Sequence, residues 1–223
     1  MHPALLLLAD SRLPAGSHAH SGGAEEAIRS GAFHDLPSLR SFLVGRLHTA
    51  GLVSATFTAA AHTLAACTGE WVMLDAEVDA RTAAPAQRAA SRLQGRLLLR
   101  VARRLWTGRA LDELAEAVPS PHHPLALGAA AHAAGTTRGE AALAAAYHSI
   151  TGAATAAVRL LGLDPVEVHA LLAALAPDLT TVSAQADAGS AQGGWAELVA
   201  VSAPGLDLLA EGHEAAEGTL FVS

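Results

Sequence analysis

His18 and His20 stand two residues apart in the run LADSRLPAGSHAHSGGAEEAI, residues 8–28. On an extended loop that spacing turns both imidazoles to one side, where they could face a single metal ion. Two ligands do not complete a site, and Asp10, Glu25 and Glu26 are the neighbouring carboxylates that could add a third. Ordinary loop or capping histidines explain the same residues more simply. His20-Ser21-Gly22-Gly23 suggests a serine nucleophile, but Ala19 occupies the first glycine position of G-x-S-x-G and no buried strand leads into it. Ser21 as the N-cap of a helix with Glu25 and Glu26 in its first turn accounts for that serine without chemistry. Near the other end, His213-Glu214-Ala215-Ala216-Glu217 approaches the H-E-x-x-H zinc motif with glutamate in place of the second imidazole, so a solvated helix end is the plainer reading. His122, His123 and His132 have no metal-ligand spacing and read as core or capping histidines.

What the chain lacks narrows its chemistry further. All 14 basic residues are arginine, which leaves no P-loop lysine for nucleotide phosphates and no Schiff-base lysine. If GTP or ATP is consumed, another protein must hydrolyse it. Cys67 is the single cysteine, which excludes intrachain disulfides and multi-thiolate clusters and fits a reduced, cytoplasmic setting. The net charge of −7 speaks against a general nucleic-acid binder. Residues 141–158 carry no formal charge, but alanine, glycine, serine, threonine and His148 supply little transfer energy, so a closely packed buried helix is expected there and no membrane span.

The elements that must position these residues are helices. Hydrophobic residues make up 51% of the 223, aromatics only 4%, and isoleucine occurs only at 28 and 150, while alanine and leucine fill every apolar segment. With a mean hydropathy of +0.31, no linker and no repeat, the expectation is all-α, a single-domain bundle over residues 1–223 of roughly eight to ten helices. Asp35 and Pro37 open a helix, and Gly51 is expected to break it and form a hairpin with a second helix toward Leu64. A short amphipathic helix carries Trp71, Leu74 and Val78. The longest pattern, residues 85–106, places Leu93, Leu97, Val101 and Leu105 on one side and Arg88, Arg92, Arg96 and Arg103 on the other. Gly95 inside it costs about 1 kcal/mol relative to alanine, which predicts close approach of another backbone. Further helices are expected around Leu111 and Leu114, from Pro124, beyond Gly135, and from Asp164-Pro165 to about residue 185. Residues 186–194 read as a loop, and a last helix over residues 206–216 leads into the apolar tail GTLFVS, residues 218–223.

Three blocks along this chain resemble one family, the UreF urease accessory proteins. Asp10, Pro14, Gly16, His20, Ser21, Gly23 and Glu25 fall in register with its N-terminal pattern D-x-x-x-P-x-G-G-F-x-H-S-x-G-L-E, while Ser17, His18 and Ala24 replace the second glycine, the aromatic and the leucine. Arg88, Ser91, Gly95 and Arg96 resemble its R-x-x-S-x-x-x-G-R block. His213, Glu214, Leu220, Phe221 and Ser223 match its closing H-E-x-x-x-x-R-L-F-x-S, with Thr219 where arginine is usual.

The resemblance implies a non-enzymatic accessory protein that bridges a UreD-type protein to the UreG GTPase while nickel is inserted into apo-urease. It implies a homodimer within that complex and no stably bound cofactor, nickel being handled by the assembly. The partner-contacting residues it would assign are Asp10, Pro14, Gly16, His20, Ser21, Glu25, Arg88, Arg96, His213, Glu214, Leu220 and Phe221. From the residues alone two alternatives stay open: a metal-dependent or serine hydrolase using His18, His20 and Ser21, and a helical interaction module unrelated to nickel.

Overall fold

Alanine and leucine dominate the apolar positions, and the helices they form pack at short range. The structure, a computed structural model, describes residues 2–10, 12–14, 20–67, 69–190, 194–216 and 220–221. Among them there is no strand; 75% is helical, in twelve α-helices, ten of them of seven residues or more, with two short helical turns besides.

The order is α1 (Ala4–Ala9), α2 (Ala24–Arg29), α3 (Leu36–Arg46), α4 (Leu52–Ala65), α5 (Trp71–Ala80), α6 (Pro85–Leu105) and α7 (Arg109–Ala117). There follow α8 (His123–Ala133), α9 (Arg138–Leu161), α10 (Pro165–Ala174), α11 (Ala176–Gly189) and α12 (Pro204–Glu214).

Several boundaries carry their local cause. Asp35 accepts the Ser38 amide in a reciprocal capping box at the head of α3, and Thr137 does the same with Glu140 at the head of α9. The Asp164 carboxylate caps α10 through the Val166 amide at 2.8 Å, with Pro165 next in line.

The core lies where α4, α8, α9 and α11 meet. Every residue from Pro124 to Ala131 of α8 is buried, the mark of a helix wrapped on all sides. Gly128 makes this possible, because a Cβ there would fall 2.4 Å from the Thr58 carbonyl of α4. α9 is the one helix among the described residues long and apolar enough to cross a membrane, and 56% of that stretch is buried inside the protein.

Three expectations are corrected. Gly51 does not break the chain: residues Leu47–Gly51 form a π-helical turn that carries α3 straight into α4, so no hairpin forms. The glycine serves packing instead, since a Cβ on it would meet the Ser149 hydroxyl of α9 at 2.6 Å. α11 runs to Gly189, past the expected end near 185.

The third correction concerns α6, which buries Gly95, Leu98, Leu99 and Ala102, while Leu93, Leu97 and Val101 are half-buried and Leu105 is 52% exposed. The rotation follows from Gly95. As expected of a helical glycine under close approach, its missing Cβ would lie 2.0 Å from the Pro121 carbonyl, so the backbone leading into α8 fixes which facet faces inward.

Candidate functional site

In the N-terminal block, Asp10 closes α1 and takes both the backbone amide of Arg12, at 2.9 Å, and its guanidinium. The Arg12 side chain holds the Asp10 carboxyl below its ordinary range. Pro14 is exposed, whereas Gly16, Ser17 and His18 fall outside the described residues, and with them the pairing of His18 with His20. His20 is buried, its carbonyl lying 3.0 Å from where a Cβ on Gly152 would sit.

Ser21 is not the N-cap of α2. Gly23 holds that place in the left-handed region, φ 87°, following Gly22 at φ 62°. Two such residues in a row extend the turn beyond the serine. The Ser21 hydroxyl nevertheless accepts the Glu25 amide at 3.4 Å, and the residue has no exposed surface. A serine so placed presents no nucleophile, which removes the hydrolase reading built on it.

Glu25 joins the two ends of the chain. Its carboxylate accepts the backbone amides of Leu220 at 2.7 Å and Phe221 at 3.0 Å, with His213 Nδ1 3.9 Å away. His213 is buried and its Nε2 lies 3.2 Å from the Phe221 carbonyl, an acceptor only, so that nitrogen carries the proton. The Arg159 guanidinium sits 5.9 Å from the centre of the Phe221 ring. Phe221 therefore packs on its own chain, while Leu220 is 77% exposed and Glu214 is exposed as well. Thr219 lies outside the described residues.

Each amide bond to a charged carboxylate is worth about 1.5–3 kcal/mol. Glu25→Ala should accordingly speed hydrogen exchange at the amides of 220 and 221 by roughly ten- to a hundredfold. Helical circular dichroism should be unchanged. Undiminished protection in the variant would show that the tail is held by Phe221 packing alone.

The middle block is a clasp between α5, α6 and α8. His122 is buried, with Nε2 2.9 Å from Asp79 and Nδ1 3.0 Å from the Ser91 hydroxyl, which in turn accepts the His123 amide at 3.1 Å. This is a serine–histidine–aspartate line, but the serine oxygen is occupied in holding the start of α8 to α6. Asp75, Asp79 and His122 are also close enough together to suggest a cation site. Arg92 already supplies the cation, reaching Asp75 at 2.9 Å and Asp79 at 2.5 Å. Burial pulls the His122 pKa down. Burial would raise Asp79, but its bonds to His122 and Arg92 outweigh that and hold it low. Arg88 caps the carbonyls of Thr82 and Ala83, while Arg96 is exposed.

The three blocks open onto one cleft of about 710 Å³, lined by His20 from the first, Ser91 from the second, and His213 and Phe221 from the third. Sequence reasoning missed Arg46, His123 and His148, which come to this cleft from α3, α8 and α9. Residues so far apart carry no shared spacing to read. Burial drives His123 down to about 3, with His148 and His20 adding to the effect. Burial likewise takes His148 to about 4 against an opposing bond to the Leu8 backbone. Both imidazoles are neutral at pH 7.

The sequence of this all-α chain matches a known family. The UreF family model matches residues 33–176. The chain is 48% identical over 219 residues to a urease accessory protein UreF of Mycobacterium sp. (strain JLS), covering 98% of this chain and 97% of that protein. It is 47% identical over 221 residues to the UreF of Mycolicibacterium vanbaalenii and 43% identical over 221 residues to that of Mycobacterium tuberculosis, with the same coverage of each chain, 98% and 97%. The chain belongs to the UreF family of urease accessory proteins.

Proposed function

We propose that this chain acts without catalysis of its own, as a scaffold that bridges a UreD-type protein and the UreG GTPase while nickel is delivered to apo-urease in the cytoplasm, and that it does so as a homodimer within the complex. The observation that carries the reading is the convergence of all three motif blocks, from the two ends and the middle of the chain, on one cleft and its rim. Motif residues divide by exposure. Ser21, His213 and Phe221 are interior and shape the surface, whereas Pro14, Arg96, Glu214 and Leu220 are exposed to a partner and Asp10 is half-buried against Arg12. The absence of lysine leaves phosphate chemistry to the GTPase. Coupling then works by differential affinity: a partner surface that binds one conformation of UreG better than another biases its nucleotide cycle.

Purified chain should release no phosphate from GTP above buffer, and urease expressed with its other accessory proteins should stay inactive until this chain is supplied. Leu220→Asp and Arg96→Glu should each weaken capture of the UreD-type protein or UreG by about tenfold, or 1.4 kcal/mol, with the fold intact. Phosphate release that survives purification and disappears on a point mutation in this chain would overturn the scaffold reading. So would full urease activation without it.

A further inference from the structure

The cleft holds a cation that has no carboxylate partner among the described residues. Arg46, the last residue of α3, donates through Nε to the Ser149 carbonyl of α9 at 2.6 Å. Its guanidinium lies against Gly22, where a Cβ would fall 3.0 Å from Nη2 and 3.1 Å from Cζ. No carboxylate reaches Arg46 among the described residues, and its two terminal nitrogens have no hydrogen-bond partner there. Desolvation in the cleft lowers its pKa to about 10, which still leaves it fully charged at pH 7. A lysine or histidine could escape burial by losing its proton; an arginine cannot.

The surroundings are similarly cationic or neutral. Asp207 is the one acidic side chain among the described residues lining the cleft, against Arg46, Arg81, Arg159 and five histidines. Arg81 is matched by Glu77 and by the carbonyls of Ala196, Leu198 and Val199. Arg159 stacks over Phe221 with no carboxylate partner among the described residues. His148, next to the residue that Arg46 binds, has a buried Nδ1 with no partner among the described residues. Arg46 is half-buried in the cleft wall, and a planar fork whose two terminal nitrogens have no partner among the described residues matches two oxygens of one anion.

We propose that the Arg46 end of the cleft, bounded by Gly22 and Ser149, is a binding site for a small oxyanion. A divalent cation is repelled at this end by the same charge. Carboxylate, phosphate and sulfate share the required pair of oxygens, and the acceptor that binds most tightly identifies the natural ligand class.

The test is calorimetric titration of the full chain with sodium phosphate, sulfate and acetate, at ionic strength held constant with chloride. At least one should bind saturably at one site per chain and raise the unfolding temperature. Arg46→Gln should weaken that binding by at least about tenfold, and Arg46→Lys, which keeps the charge but loses the fork, by less. No saturable binding of any of the three, or binding unchanged in Arg46→Gln, overturns the proposal. Should Arg46→Gln fail to fold, selenate soaked into crystals of the unaltered chain decides: an anomalous peak at the Arg46 terminal nitrogens supports the site, and its absence refutes it.

Discussion

Acidification from pH 7.5 to about 4.5 is expected to cost this protein several kcal/mol of stability, most of it above the pH range in which its carboxylates titrate. The cause is a set of imidazoles that the fold takes wholly or partly out of water. In the unfolded chain a histidine titrates near 6.5, whereas in the fold His148 resists protonation to about 4 and His123 to about 3. His62 and His122 are lowered in the same direction, burial being the largest cause in each. Within that window the unfolded state takes up protons that the native state refuses. Stability is therefore full above about 6.5 and falls as pH drops toward the folded values.

A second loss follows at lower pH. Glu140 is held at about 2 by the backbone amides of Thr137 and His2, so its contribution is present above the ordinary carboxylate range and lost as pH falls toward 2. Urea midpoints followed by circular dichroism at pH 7.5, 6.5, 5.5 and 4.5 check the histidine phase, and His148→Gln should flatten it. A midpoint that does not move between pH 7.5 and 5 would mean these imidazoles are not neutral and buried in solution.

Gly95→Ala and Gly128→Ala should each destabilise the fold by roughly 3 kcal/mol or more, beyond the usual range for exposed helical sites. Intrinsic propensity points the other way, since alanine is favoured over glycine in a helix by about 1 kcal/mol. Sterics win because the obstruction is backbone. At Gly95 the new methyl would lie 2.0 Å from the Pro121 carbonyl and 2.9 Å from the His123 nitrogen, and at Gly128 it would lie 2.4 Å from the Thr58 carbonyl and 2.8 Å from the His62 nitrogen. Neither neighbour can swing aside as a side chain could.

Gly189, with nothing near its Cβ position among the described residues, is the internal control: Gly189→Ala should be neutral or slightly stabilising. Thermal unfolding of the three variants separates the cases. A stabilised Gly95→Ala would show that α6 and the approach to α8 are not in contact in solution. The Gly95 variant should also disturb the site, because the same contact holds Ser91, His122 and His123 in register.

Local chemistry in the chain was sufficient for the helices and most of their ends. Asp35 with Pro37, Asp164 with Pro165, and the Pro85 start of α6 act within one turn on the amides next to them, so their effect is visible without the rest of the molecule. The alanine-rich composition likewise anticipated an all-α fold, and the blocks at the two ends and the middle anticipated the family. Gly95 was readable because a glycine is costly inside a strong helix unless something needs the space.

Gly51 carried the same signal and was misread as a break, since sequence cannot tell a glycine that ends a helix from one that admits a neighbour. Tertiary structure decided that case through Ser149. It also decided which facet of α6 turns inward, through a backbone contact made some 25 residues later in the chain. The tie between Glu25 and the tail spans 195 positions, and Arg46, His123 and His148 meet only when α3, α8 and α9 pack. Such juxtapositions depend on how whole helices bury their surfaces against one another. Capping and turn formation act between neighbours in the chain, whereas the setting of Arg46 in the cleft and the lowered pKa values of the two histidines arise only once the helices have packed.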